Sequence, residues 1–285
     1  MKKPVLALLL IACLFFLPQA VKRMTSGFHL ERMILDVYRH SDWDTTPLPQ
    51  SQMREIKKVL RRPFTYLSRG SQAFVFASED GRYVLKLFYS PQKAHPWRQW
   101  IRTHVRKKSA KSAPLEKVHR VLSAAKLAFE QGSAWTGVVY VHLNPTETQL
   151  PETVLKAPCG KTCKIDLNQY RFVLQERAIP IREGLAMAIE QGDRSAVRAL
   201  FHSFAELILT RASKGIRNGD VTVYSNFGCL GSRVIEWDFG NYWIDASMRP
   251  QDELQRFASP LRQFLLARAP EWVKEFDEEI SLGAL

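Results

Sequence analysis

Between Phe64 and Phe88 three β-rich runs follow one another so closely that only an antiparallel meander accommodates them. The run Phe64 to Arg69 gives way to Gly70-Ser71-Gln72, then to Ala73 to Ser78, then to Glu79-Asp80-Gly81, and finally to Arg82 to Phe88. Asp-Gly between two such runs is a hairpin signal, because the tight turns that match strand twist need positive φ at their central residues. Three antiparallel strands are therefore predicted, with Lys86 on the third within Val84-Leu85-Lys86 and Gly70 in the first connection.

A chain of 285 residues is long for one domain and short for two full ones, which favours a single two-lobed body with an added terminal segment. The formal charge of +13 favours anionic partners such as nucleotides, nucleic acid or acidic lipid headgroups, without choosing among them. No nucleic-acid motif accompanies it: zinc-finger spacing, aromatic-rich sheet signatures and sustained basic heptads are all missing from the sequence. Four cysteines, Cys13, Cys159, Cys163 and Cys229, are too few for a disulfide scaffold. Cys159 and Cys163 flank a turn-like stretch and would pair only if the body is exported.

Residues 4–21 carry no charge and are bracketed by Lys2, Lys3, Lys22 and Arg23. As a helix this run would reach about 27 Å, close to the roughly 30 Å hydrocarbon core of a bilayer. A retained single-pass anchor is the first reading, with the side of the membrane open because basic residues flank both ends. A cleaved signal peptide comes second, since Pro18 sits where a small residue is wanted before the cut. A lipoprotein acylated at Cys13 comes third, because the apolar run continues past that cysteine.

Residues 24–62 read as a polar spacer with short helices. Residues 93–120 are dense in Lys and Arg, with Glu116 the one acid. There Trp97, Trp100, Ile101, His104 and Val105 repeat at helical spacing. Such a helix suits a membrane surface, or packs its tryptophans on the domain and leaves its cations solvated. Pro114 opens a helical pattern that Gly132 is placed to end. Strands are predicted at 135–143 and 170–178, helix over 183–213, a loop at Gly215 to Asp220, short strands from Phe227 to Trp237, and two amphipathic helices at the end. The divisions are 1–23 membrane segment, 24–62 spacer, 63–178 first lobe with insertions, and 179–285 second lobe.

A nucleotide phosphate site needs close backbone approach, a cation on the phosphates and carboxylates to hold Mg²⁺, drawn from separate elements. The chain offers Gly70 at a hairpin turn, Lys86 on a strand, Asp220 in a loop after a long helix, and Asp238-Phe239-Gly240 after a short apolar strand. In that order of parts the segment from about Phe64 to Gly240 resembles the protein kinase superfamily. Within it, the basic insert with Trp97 and Trp100 is most similar to the small bacterial kinases of lipopolysaccharide core sugars. The resemblance implies an α+β, two-lobed protein-kinase-like fold, with an antiparallel sheet in the first lobe and a small, mostly helical second lobe, behind the N-terminal segment.

The same resemblance implies ATP and Mg as ligands and assigns roles residue by residue. Lys86 would contact the α and β phosphates, with Glu116 as its ion-pair partner and Glu130 a poorer candidate. Asp220, in Asn218-Gly219-Asp220, would be the catalytic base. Asp238 would bind Mg²⁺, helped by Asn226, and Gly70 would cover the phosphates. The 18-residue interval from Asp220 to Asp238 is the one the family commonly shows. A sugar or glycolipid acceptor is the expectation that follows.

The chain also departs from the pattern. The turn keeps Gly70 where three glycines are usual, Asn218 stands in place of His, and Ser225 occupies the place of the metal-binding Asn, so that Asn226 requires a bulged loop. Only 45 residues follow Asp-Phe-Gly, which argues against a conventional protein-substrate platform. These departures keep open a pseudokinase scaffold, and the leader keeps open an exported protein that meets no nucleotide. Singly, each residue also has a structural reading: a strand Lys on a solvated face, Asp-Phe-Gly and Asn-Gly-Asp as turns, Glu116 as a first-turn carboxylate.

Overall fold

The computed structural model describes residues 25, 27–33, 39–89 and 112–282. Residues 4–21 and most of the basic segment 93–120, including Trp97 and Trp100, lie outside them. Among the described residues no helix is long and apolar enough to cross a membrane.

The predicted meander forms as β1 (Phe64–Arg69), β2 (Ala73–Ser78) and β3 (Tyr83–Phe88), all antiparallel. Gly81, at φ 69°, closes the second turn in a backbone region that side chains disfavour. The two later strands predicted for this layer form as β4 (Val138–His142) and β7 (Phe172–Glu176). The stretch between them that carries Cys159 and Cys163 is itself a hairpin, β5 (Glu152–Lys156) and β6 (Thr162–Asp166). One seven-stranded sheet results, in the order β4-β7-β3-β2-β1-β5-β6, with β5 joined parallel to β1. Cys159 is exposed in the β5–β6 turn and Cys163 is on β6, both as free thiols.

Helix α1 (Gln50–Leu60) closes one face of the sheet. Its Ile56 and Leu60 join Phe28, Phe64, Phe74, Phe76, Leu85 and Phe172 in one apolar core. Removing side chains of this size from water stabilises by about 1.5–3 kcal/mol each. The opposite face receives α2 (Ser112–Glu130) and the short α3 (Ser133–Thr136). Val121, Leu122, Ala125 and Phe129 of α2 belong to a second core that continues into the helical half.

That half comprises β8 (Ile179–Pro180), α4 (Ile181–Glu190), α5 (Arg194–Ser213), β9 (Ile216–Asn218), α6 (Val223–Asn226), β10 (Phe227–Leu230), β11 (Arg233–Glu236), β12 (Tyr242–Ile244), α7 (Pro250–Arg268) and α8 (Val273–Leu282). The helix predicted over 183–213 is broken at Gly192, and Asp193 caps α5 by accepting from the Ala196 amide at 2.9 Å. Phe201 and Phe204 of α5, Phe227 of β10, Phe257 of α7 and Phe276 of α8 fill the centre. Beside this centre, β9 pairs with β12 and thereby brings the Asn218 loop against the segment that follows Asp238.

Candidate functional site

Strand alternation turns Lys86 toward the helical half, between Val75 on β2 and Val173 on β7. Its Nζ donates to the Trp237 carbonyl at 2.6 Å and lies 5.4 Å from the Phe239 ring centroid. Burial pushes the ammonium pKa down to about 8, against the pull of the Asp238 charge. The lysine is thus a desolvated cation within electrostatic reach of Asp238.

The expected ion pair between Lys86 and Glu116 is not made. Glu116 is exposed near the start of α2, and the inner face of that helix is apolar where it meets the sheet. Glu130, the other acid of α2, accepts from the Thr46 amide at 3.0 Å. With no carboxylate offered by α2, Lys86 turns to a backbone carbonyl.

The turn between β1 and β2 packs on the Asp-Phe-Gly segment through Gln72. Gly70 donates its amide to the Ala73 carbonyl at 2.9 Å, and its own carbonyl accepts from the Tyr89 hydroxyl at 3.1 Å. The Gln72 side chain reaches onto Gly240, where a Cβ would run into the Gln72 amide. A side chain at the glycine of Asp-Phe-Gly would therefore displace the Gln72 amide.

On the other side, Asn218 organises both aspartates. Its Nδ2 donates to Glu236 at 2.7 Å and reaches the Asp238 carbonyl at 3.3 Å, while its Oδ1 accepts from the Asp220 amide at 2.9 Å. Asn218 thus ties the loop bearing Asp220 to the segment bearing Asp238, using one acceptor and two donor bonds of a buried amide. The Asp220 carboxylate accepts from the Thr222 hydroxyl at 2.6 Å and its amide at 3.0 Å. Burial works to raise its pKa, but the Thr222 bonds and the Asn226 side chain hold it below the usual carboxylate range.

The loop accommodates Asn226 as the last residue of the helical turn α6. Asn226 is buried, its Nδ2 lies 3.4 Å from the Asp220 carbonyl, and its own carbonyl accepts from the Trp237 and Asp238 amides at 2.8 and 3.3 Å. The extra residue between base and amide is absorbed by that turn. Asp238 is exposed, with Oδ1 accepting from the Gly240 amide at 3.2 Å. Lys86 thus feels the Asp238 charge, and Asn218 and Asn226 tie the Asp220 and Asp238 segments together, while Glu116 makes no ion pair with Lys86. The Asp220, Asn226 and Asp238 oxygens are the hard, carboxylate and carbonyl donors that suit Mg²⁺.

Three residues in contact with these segments carry no motif. Gln175 on β7 is fully buried, donates to the Thr136 carbonyl at 2.5 Å and the Trp237 carbonyl at 3.3 Å, and leaves its Oε1 without a partner. Trp237 supplies the carbonyl that holds Lys86, and Gln72 covers Gly240. The polar Gln175 in the otherwise apolar run Phe172-Val173-Leu174 was the one available signal.

The loop rests on a buried charge network. Arg211 of α5 is fully buried, with Nε 3.0 Å from Glu236 and Nη1 3.1 Å from Glu253. Burial raises the Glu236 pKa, and Arg211, Tyr242 and Asn218 oppose that rise. Arg256 bonds Glu253 at 2.9 Å and also donates to the Asn218 carbonyl.

No family model matches the chain, and no curated protein matches it. Among solved structures it overlaps WbdD in co-crystal with the kinase inhibitor LY294002, at 14% identity and TM-score 0.39, over 76% of this chain and 45% of that one. It overlaps a structure of the bifunctional kinase-methyltransferase WbdD at 13% identity and TM-score 0.38, over 74% and 43%. Rv3197 of Mycobacterium tuberculosis, in complex with erythromycin, overlaps at 18% identity and TM-score 0.33, over 78% and 59%. The chain spans less than two thirds of each. Overlaps this loose carry no argument of their own. The mixed sheet-and-helix body nevertheless fits a protein-kinase-like fold by the order of its own elements, from the β1–β2 turn through Lys86 and α2 to the two aspartate-bearing segments.

Proposed function

We propose that this chain is a kinase-like phosphotransferase that takes ATP with Mg²⁺ and phosphorylates a hydroxyl of a sugar or glycolipid. The observation that supports the reading is the Asn218 side chain, which bonds the Asp238 backbone carbonyl and the Asp220 backbone amide at once and so ties together the segments bearing the proposed base and the proposed metal ligand. In this reading Asp238 and Asn226 hold the metal, which would neutralise charge on the phosphates and supply electrostatic stabilisation. Lys86 leaves the Trp237 carbonyl for the phosphates of the donor. Asp220, already ionised, orients the acceptor hydroxyl and accepts its proton as the oxygen attacks.

The leader 4–21 would hold the body at a membrane, and the basic segment 93–120 would favour an anionic lipid surface, which makes a glycolipid hydroxyl the acceptor best placed to arrive. A second reading, a pseudokinase scaffold, is favoured by Lys86 bonding a backbone carbonyl and by Glu116 standing away from it. Calorimetric titration of the full chain with ATP and Mg²⁺ tests the first reading, with Lys86→Ala and Asp238→Ala alongside. Specific binding lost in both variants supports it. No binding by the folded chain removes it and leaves the scaffold.

A further inference from the structure

Away from this site, a second cluster of ligating side chains joins the spacer to α2. The turn Ser41–Trp43 presents His40 and Asp42, and α2 presents His119 across from them. Their ligating atoms all lie within 4.8 Å of one another. Asp42 Oδ2 stands 3.6 Å from His40 Nδ1 and 3.4 Å from His119 Nε2. Ligands on a tetrahedron of zinc bonds of about 2.0–2.1 Å are about 3.3–3.4 Å apart, so both spacings match a metal's coordination edge with little adjustment.

We propose that His40, Asp42 and His119 form a site for a divalent cation of the zinc class, fastening the spacer to α2 independently of any nucleotide. Two imidazoles and one carboxylate suit zinc better than magnesium, which prefers oxygen ligands alone. The surroundings already orient the ligands. His119 Nδ1 lies 3.4 Å from the Ser123 hydroxyl, which leaves Nε2 to face Asp42. The His40 ring lies 4.8 Å from the Trp43 ring and the His119 ring 5.6 Å from it, so the indole backs both. The His40 backbone is pinned from both sides by the Asn144 amide, at 3.1 and 2.9 Å.

The Asp42 amide donates to His40 Nδ1 at 3.3 Å, a long bond that a metal would displace. Lys126 donates to the Asp42 backbone carbonyl at 3.1 Å, leaving the carboxylate to the histidines, and Arg39 is engaged with Asp44. The cluster is half-exposed, so a water would complete the coordination. Loading it would hold α2 to the spacer at the end of the helix that begins near Glu116.

The test uses the full chain in detergent with Cys13→Ser, Cys159→Ser and Cys163→Ser, which leaves the buried Cys229 as the one thiol. One equivalent of Co²⁺ is expected to give the visible bands of tetrahedral nitrogen and oxygen coordination, and Zn²⁺ to displace it and raise the melting temperature. Mg²⁺ is expected to do neither. Ser123→Ala should weaken Zn²⁺ binding by about 10-fold, the low end of what losing a ligand's hydrogen-bond partner costs, and His119→Ala, which removes a ligand outright, by about 100-fold or more. Circular dichroism without metal checks that each variant is folded. Absence of stoichiometric Zn²⁺ binding would overturn the proposal. So would binding that survives unchanged in both His119→Ala and Asp42→Asn, since the metal would then sit elsewhere.

Discussion

The Lys86 and Asp238 sides of the candidate site are held by different physics. On the helical side, Asn218 and the aspartate segments rest on fully buried charges, Arg211 with Glu236 and Glu253. On the sheet side, Lys86 leans on a carbonyl and Gln72 on a glycine, contacts that a ligand can replace one for one. Removing one partner of a buried ion network costs about 3–5 kcal/mol, whereas a single hydrogen bond contributes about 0.5–3 kcal/mol net, toward the upper end where a charged group such as the Lys86 ammonium takes part. The acid-bearing side is therefore the more firmly held, and under the proposed function the lysine and turn are the side that yields to a ligand.

The largest effect should come from the fixed side. Asp220→Ala is expected to lower kcat by about 10²- to 10⁴-fold while leaving nucleotide affinity unchanged, as removal of a general base does. Single-turnover assay beside equilibrium binding separates the two. A variant that keeps substantial turnover strips Asp220 of its role.

Next in size is the foundation beneath it. Arg211→Met leaves Glu236 and Glu253 buried and should cost about 3–5 kcal/mol in urea denaturation. Combining it with Glu236→Gln should cost less than Arg211→Met alone, because one stranded carboxylate is gone. An additive pair would mean that the two residues do not act as a unit.

On the movable side the sign reverses. A lysine whose pKa falls from 10.5 to about 8 on folding costs stability wherever it stays protonated in both states. Between pH 8 and 10.5 the unfolded chain binds more protons than the folded one, so stability rises with pH there and is penalised below it. Lys86→Met should therefore stabilise the protein at pH 7 by on the order of 1–3 kcal/mol and remove that rise, read as the difference between parallel pH series. The same change should abolish nucleotide binding, which in the native chain is expected to weaken as pH climbs through about 8.

The same contrast explains what could be read in the sequence. The meander, Lys86 on its third strand, and the terminal helices were legible, because period-two and helical patterns report burial directly. The role of Asn218 was half legible. The residue was visible as a departure from the expected His, but its bonds to Glu236 and to the Asp238 carbonyl depend on β9 pairing with β12. The hairpin β5–β6 was missed because Pro151, the Cys159 turn and polar residues hide a strand pair that is only half buried. Glu116 failed for a geometric reason. Position on the right helix does not settle which way a side chain faces, and the face of α2 that meets the sheet is apolar.

The smallest expected effect is also the sharpest test of which side moves. If the Gly70–Gln72 turn must lift to admit a nucleotide, the Gln72 contact on Gly240 opposes binding. Removing it by Gln72→Ala should then strengthen nucleotide affinity by roughly 3- to 10-fold, the gain expected when a closed form that cannot bind is depopulated. The turn itself should survive, since Gly70 still bonds Ala73 and Tyr89 through its backbone. Weaker binding in the same titration would instead make the Gln72 amide a ligand contact, placed over the phosphates as the missing glycines of the loop would be. Either sign assigns the turn a function, but only strengthening keeps the sheet side as the part that yields.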